Sequence, residues 1–282
     1  TWFFPCKISF MEKVRLDVLM EELKLAESRS SAQRIIMAGE ARVNGQLVIK
    51  PATKVNRNDS IEVTKPPPFV SRGGEKLLGA LEAFNLLSLD GLVCADIGAS
   101  TGGFTDCLLQ HGASKVFAVD VGYGVLHWKM RNHPKVVSME RTNARYVEGF
   151  GEPIQLVTID ASFISLRTLL PTVKNWFSET PGEVVALIKP QFEAGRSDAA
   201  KGEGVIRDAS VHKRVLEQVL EFAESEGFEI KGLIQSPLTG PKGNIEFLVY
   251  LQYPSIQTSN ALEWVETLYP DHSEPGEAEN LS

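Results

Sequence analysis

At 282 residues, with 43% hydrophobic and 23% charged side chains, the chain has the composition of a folded globular protein with room for one medium domain and a small one. No apolar run approaches the ~20 residues a membrane-spanning helix needs, which argues against a membrane role. The formal net charge of −7 argues weakly against nucleic acid, but residues 1–72 hold twelve Lys or Arg against eight Asp or Glu, so a basic region sits at the front. Cys6, Cys94 and Cys107 are odd in number and lack metal-ligand spacing, which fits structural roles, no metal centre and a reducing, cytoplasmic setting. The opening Thr1-Trp2-Phe3-Phe4-Pro5-Cys6 is too short, and lacks the leading basic segment, for a secretory signal. Met11 reads as a start, with residues 1–10 an extension.

From Val14 to Leu25, Leu16, Leu19, Met20 and Leu23 recur at helical spacing, and Ser28 to Ser31 offers N-caps for a second helix, Ala32 to Ala38, ending at Gly39. Asn44-Gly45 between two apolar runs predicts a hairpin, and Asp59 to Val63 a last strand. Arg15-Leu16-Asp17, Ser28-Arg29, Ala32, Ile35, Gly39, Val43-Asn44-Gly45, Lys50-Pro51 and Asp59-Ser60-Ile61-Glu62-Val63 together resemble an S4 domain, a small αL-like RNA-binding module. The resemblance implies an RNA face on the two helices, with Arg15, Arg29 and Arg34 as phosphate contacts and Lys50 as a weaker one. Such contacts give position and salt-dependent affinity, not base specificity. The S4 domain is expected over residues 13–64, followed by a proline-rich, semi-rigid linker over 65–72.

Gly91 to Asp120 organises the rest of the chain. The run Leu92 to Ala95 ends on Asp96-Ile97, the small residues Gly98 to Gly103 make a turn, Phe104 to His111 reads as helix, and Val116 to Val119 stops on Asp120. Strand, glycine turn, helix, strand and terminal acid predict a βαβ unit that holds a nucleoside-like ligand at the strand ends. Gly98 allows a sharp turn, Gly102 and Gly103 are expected to let backbone N–H groups approach the ligand, and Asp120 to accept from ribose hydroxyls. A dinucleotide fingerprint would need glycine where Ser100 stands. Gly98-Ala99-Ser100-Thr101-Gly102 also matches a hydrolase nucleophile elbow, but that reading leaves Asp96 and Asp120 without work and finds no convincing histidine, since His212 lies in a polar helical segment. An S-adenosylmethionine loop uses both acids.

Further strands are expected at Val136–Met139, Ile154–Asp160, Glu183–Lys189, Phe228–Gln235 and Ile245–Tyr253, with helices at Ser165–Phe177 and Ala209–Glu226 and a polar loop holding Arg196, Lys201 and Arg207. That alternation predicts a three-layer α/β fold around a seven-stranded, mostly parallel sheet. Asp160 and Lys189 close strands at the carboxyl edge, where open α/β sheets place their sites. With Lys76 and Glu246 they resemble the Lys-Asp-Lys-Glu tetrad of FtsJ-type ribose 2′-O-methyltransferases. GASTGGFTDCLL, DVGYG, ERTN, DASFISL, LIKPQFEAGR and IEFLVYL, following an S4 domain, are similar throughout to the TlyA/hemolysin A family, from about Lys13 to Tyr253.

The resemblance implies a Rossmann-like class I methyltransferase domain over 73–254 and S-adenosylmethionine as cofactor. It further implies 2′-O-methylation of cytidine in ribosomal RNA, free or in a ribosomal subunit. It makes Lys189 the base or orienting group, with Asp160 beside it, Lys76 and Glu246 completing the network and Asn143 near adenine. The Asp96 region would attract the cofactor's positive sulfur. A ribose hydroxyl is a poor nucleophile, and a lysine can take its proton only if its pKa falls well below ~10.4. A pore-forming protein, as the family's historical name suggests, and a silent RNA-binding module are the competing classes. Residues 255–282, acidic at the end, are expected to be an unstructured tail.

Overall fold

Among the described residues of the N-terminal unit, which extends to Pro67, the first element is a strand where the spacing predicts helix. The computed structural model describes residues 13–64, 67–177, 181–195, 198, 202, 204–257 and 260–270. Strand β1 (Lys13–Arg15) pairs antiparallel with β4 (Lys54–Asn56), and helix α1 is confined to Leu16–Glu22. A three-residue strand carries too little apolar pattern to stand out in sequence; its partner lies some forty residues away. Helix α2 (Arg29–Met37) starts three residues before the expected Ala32, because the first of the candidate caps is used: the Ser28 side chain accepts from the Ser31 N–H at 3.2 Å. Strands β2 (Ala41–Val43), β3 (Gln46–Leu47) and β5 (Ile61–Val63) form a small antiparallel sheet in the order β3-β2-β5. Its hairpin turns through Asn44 and Gly45, with φ of +50° and +78°, the pairing that a two-residue primed turn demands. Leu16, Leu19, Met20, Ala32, Ile36, Ala41 and Val55 make the core of this unit.

The second unit, from Pro68, is built on β6 (Val93–Ile97), β7 (Lys115–Val119), β8 (Val136–Met139), β9 (Leu156–Ile159), β10 (Gly182–Ile188), β11 (Glu229–Gln235) and β12 (Phe247–Tyr253). The spatial order is β11-β12-β10-β9-β6-β7-β8, parallel from β10 to β8, with β12 antiparallel to both neighbours. Alternate residues serve opposite faces, as a period of two requires. Cys94, Val116, Leu156 and Val185 pack with α3 (Gly73–Ala83) and α4 (Gly103–Gln110). Ala95, Val157, Val184 and Ala186 pack with α6 (Leu166–Val173) and α8 (Ala209–Ser225). Two short helices, α5 (Trp128–Arg131) and α7 (Pro190–Glu193), complete the loops.

Two expectations are corrected here. The segment expected as an unstructured tail contains helix α9 (Ala261–Leu268), whose Ala261 and Val265 are buried in the core; residues 271–282 lie outside the described residues. His212, read as lying in a polar helical segment, is buried: its Nε2 donates to the Ile206 carbonyl and its Nδ1 accepts from the Tyr269 hydroxyl, both at 3.1 Å. Burial lowers its pKa, so it is a neutral packing residue that ties α8 to the segment after α9. Cys94 and Cys107 are buried free thiols, each pushed up to about 12 by burial, while Cys6, Arg196 and Lys201 lie outside the described residues.

Candidate active site

Topology brings the four tetrad residues together from four separate elements. Asp160 follows β9 and Lys189 follows β10, both at the carboxyl edge of the parallel strands. Because β12 runs antiparallel, with Phe247 paired to Ile188, it begins at that same edge, and Glu246 precedes it. Lys76 comes from the first turn of α3. All four line one cavity of about 300 Å³, with Ser71, Arg72, Gly98, Ser100 and Ser162.

Within the cavity the four form two ion pairs of different character. Lys76 Nζ donates to Glu246 Oε2 at 2.5 Å, and both side chains are almost wholly buried. Gln191 Nε2 reaches the other carboxylate oxygen at 3.4 Å, and a Cβ on Gly240 would overlap it, so glycine is what lets the loop close over Glu246. Lys189 Nζ lies 2.5 Å from Asp160 Oδ1, but the Asp160 side chain is 24% exposed. Lys189 also donates to the Asp160 carbonyl at 3.3 Å and to the Ser162 hydroxyl at 3.2 Å. Each buried ammonium is thus matched by a carboxylate, as low-dielectric surroundings require.

A second cavity of about 460 Å³ adjoins the first and shares Gly98, Ser100, Asp160 and Ser162 with it. Asp120 and Asn143 line it beside the apolar Val121, Ile164 and Leu169. Asp120 ties down the glycine turn: its Oδ2 accepts from the Ser100 N–H at 2.8 Å and its Oδ1 from the Gly122 N–H at 2.7 Å. Asn143 has a local task as well, accepting from the Arg145 N–H at 3.1 Å to cap a single helical turn.

Gly98 lines both cavities and Gly103 the first, whereas Gly102 and Asp96 lie behind the cavity walls. Gly102 lines neither cavity; at φ +92°, a Cβ there would meet Met130 at 2.9 Å and Leu126 at 3.0 Å. A Cβ at Gly103 would meet Ser71 and the Gly74 nitrogen, so this position packs α4 against the start of α3. Gly98 stands at φ +80°, and its Cβ would press on the Asp160 carbonyl at 2.8 Å. These residues let chain approach chain. Asp96 is fully buried and lines neither cavity; Thr105 donates to it at 2.6 Å and Thr158 at 3.2 Å. Burial pushes its carboxyl up to about 7, with the charge of Asp160 adding to the rise. It therefore holds β6, β9 and α4 together.

The hydrolase reading also falls. Ser100 has the strained φ of +48° that an elbow would show, but among the described residues no histidine lines either cavity. Ser162 was missed by sequence reasoning, although it touches Lys189 and lines both cavities; its place two residues after a strand-closing Asp was the available signal. In the N-terminal unit, Arg15 and Arg29 meet at the buried Asp17, while Arg34 and Lys50 are exposed. Arg15 stands at the end of β1, not on a helix.

A parallel-rich sheet with two joined cavities at its carboxyl edge and a lysine–carboxylate cluster on their shared wall describes a group-transfer enzyme. The chain belongs to the FtsJ-like methyltransferase family, whose model matches residues 69–253, and an S4 domain model matches residues 14–61. It is 43% identical over 254 residues to the 16S/23S rRNA (cytidine-2′-O)-methyltransferase TlyA of Mycobacterium tuberculosis, covering 89% of this chain and 92% of that one. A candidate rRNA methyltransferase of Bacillus subtilis, YqxC, is 48% identical over 249 residues, covering 86% of this chain and 87% of its own. A solved chain from Streptococcus thermophilus, presented as a candidate haemolysin, superposes with a TM-score of 0.67 at 43% identity, covering 92% of this chain and 96% of that one. Among the described residues no helix is long and apolar enough to cross a membrane.

Proposed function

We propose that this chain is an S-adenosylmethionine-dependent methyltransferase that modifies the ribose 2′-hydroxyl of cytidine in ribosomal RNA, working in the cytoplasm. The observation that carries this reading is the convergence of Lys76, Asp160, Lys189 and Glu246 on one cavity that opens into a second, acid-lined one. The donor set fits the cofactor. Asp120 offers carboxylate lone pairs to vicinal hydroxyls, Val121, Ile164 and Leu169 offer an apolar wall to a flat base, and Asn143 stands beside them. When bound, the cofactor supplies a methyl group on a positively charged sulfur. Asp160 lines both cavities, so it stands at the boundary where that charge would lie.

The Lys189–Asp160 pair does the proton work. A 2′-hydroxyl that enters the first cavity would take the place of one of the three acceptors around Lys189 (the Asp160 carboxylate, the Asp160 carbonyl or Ser162). The ammonium then holds its oxygen while the Asp160 carboxylate accepts its proton as the methyl group leaves the cofactor sulfur for that oxygen. Protons on such a pair belong to both partners. Lys76 and Glu246 form the rigid opposite side. The N-terminal unit holds RNA through Arg15, Arg29, Arg34 and Lys50, which would read backbone phosphates.

The test is methyl transfer. The purified protein should move radiolabelled methyl from S-adenosylmethionine to 16S or 23S ribosomal RNA, as transcripts or within subunits. The product should carry one alkali-resistant linkage at a cytidine. Absence of both cofactor binding in calorimetry and transfer to any of these RNAs would overturn the reading.

A further inference from the structure

We propose that Asp17 is a positioning residue that presets Arg15 and Arg29 as a two-arginine clip for an RNA backbone phosphate. The inference rests on the reading that the N-terminal unit binds RNA. Asp17 is wholly buried in the first turn of α1, inside a small and basic unit. Arg15 grips it side-on, Nε donating to Oδ1 at 2.9 Å and a terminal nitrogen to Oδ2 at 2.8 Å. Arg29, from α2, donates through Nε to the same Oδ2 at 3.1 Å, and Gln33 adds a bond at 2.8 Å.

A guanidinium has five N–H donors in a fixed plane. Arg15 spends two on Asp17 and Arg29 spends one, in each case from the Nε edge. The end-on forks stay available, and the two side chains are 35% and 50% exposed. Such a fork matches a phosphate bidentately. The carboxylate holds two long side chains at one place before any ligand arrives, so less freedom is lost on binding. Arg15 above all keeps the Asp17 carboxyl well below the usual carboxylate range, so the anchor stays ionised at any working pH.

Charge counting and positioning give opposite signs, which makes the proposal testable. Removing the buried negative charge with Asp17→Asn makes the unit more positive, so charge alone predicts tighter RNA binding. Positioning predicts weaker binding, by ~5-fold or more. The salt dependence should also flatten, by about 0.7–0.9 in log–log slope for each phosphate that is no longer neutralised.

The probes are 16S and 23S ribosomal RNA transcripts with the full-length protein, and cofactor affinity and melting temperature are recorded for every variant. Should Asp17→Asn lower the melting temperature, Arg15→Lys and Arg29→Lys carry the test. Each keeps the charge, loses the Nε bond to Asp17 and should weaken RNA binding in the same way. Folded Asp17→Asn that binds as tightly as the parent or tighter, with an unchanged slope, overturns the proposal, as do lysine variants with parental affinity. The double charge reversal Arg15→Glu with Arg29→Glu separates the two levels. If it weakens binding while Asp17→Asn and the lysine variants do not, positioning alone has failed. If it too changes nothing, the RNA face itself is wrong.

Discussion

Asp17 and Asp96 are both fully buried carboxylates, one in each unit, yet their acidities move in opposite directions. Asp17 is bonded by two guanidiniums and an amide and sits well below the usual carboxylate range, Arg15 contributing most. Asp96 is bonded by two threonine hydroxyls, and burial pushes it up to about 7. The partner, and not burial alone, sets the charge state of an interior acid. Arginine never gives up its proton, so an acid that orders arginines builds a lasting cationic surface. The first cavity shows a third arrangement, in which each carboxylate is paired with a lysine ammonium.

The largest effect should come from removing the ammonium of the Lys189–Asp160 pair. Lys189→Met keeps the aliphatic stem and removes the charge, leaving Asp160 with access to water. Single-turnover methyl transfer should fall by ~10²-fold or more, with RNA and cofactor affinity kept. Lys231→Met, on the edge strand β11 and outside both cavities, serves as the control and should react at the parental rate. Lys76→Met should behave differently. It strands the Glu246 carboxylate in a buried site, and breaking such a pair costs about 3–5 kcal/mol, so its melting temperature should drop. A near-parental rate for Lys189→Met would exclude proton handling by the Lys189–Asp160 pair.

A smaller effect is expected at Asp120, an acid whose protein partners are backbone amides. Asp120→Ala should weaken S-adenosylmethionine binding at least ~10-fold, about 1.4 kcal/mol, by calorimetry. Asp120→Asn retains an acceptor for one amide and should lose less. If the alanine variant binds cofactor as the parent does, the second cavity is not the nucleoside site. Gly102 gives no comparable test, because a side chain there strains the backbone and collides with Met130 before it could meet a ligand.

The sheet and the places of Asp160 and Lys189 were legible because buried parallel strands are nearly continuous apolar runs, and Asp96-Ile97, Asp160 and Lys189 mark where those runs end; the grouping with Lys76 and Glu246 came from the family resemblance. Glu246 follows the same logic once β12 is known to run antiparallel. Beyond that, legibility failed wherever partners are distant in sequence. Lys54-Val55-Asn56 has no strand signature until β1 pairs with it. Helix α9 was hidden because the acidic residues beyond it coloured the whole segment, although Ala261 and Val265 share a buried face. At Gly102 and Asp96 the motif alone does not distinguish a residue that touches cofactor from one that lets the motif pack, because both tasks call for the same residue at the same place.

Asp96 itself supplies the finest test of the comparison. Its folded pKa is raised, to about 7, above the ordinary aspartate value it regains on unfolding. The protonated form is therefore the one the fold favours. The associated stability is fully present below about pH 4 and is lost as pH rises through about 7. Between pH 5 and 8 the parent should lose melting temperature from this group, whereas Asp17, ionised throughout, contributes no slope there. Asp96→Asn is neutral at every pH and, with its carbonyl and amide, can bond both threonine hydroxyls. The parent-minus-variant difference in melting temperature should thus fall by several degrees from pH 5 to pH 8, corresponding to roughly 2–3 kcal/mol of linked stability. Subtracting the two curves cancels His212 and every other titrating group common to both. A difference that stays flat across that range would mean that Asp96 is ionised in the folded protein, and that two threonines can do for a buried acid what two arginines do for Asp17.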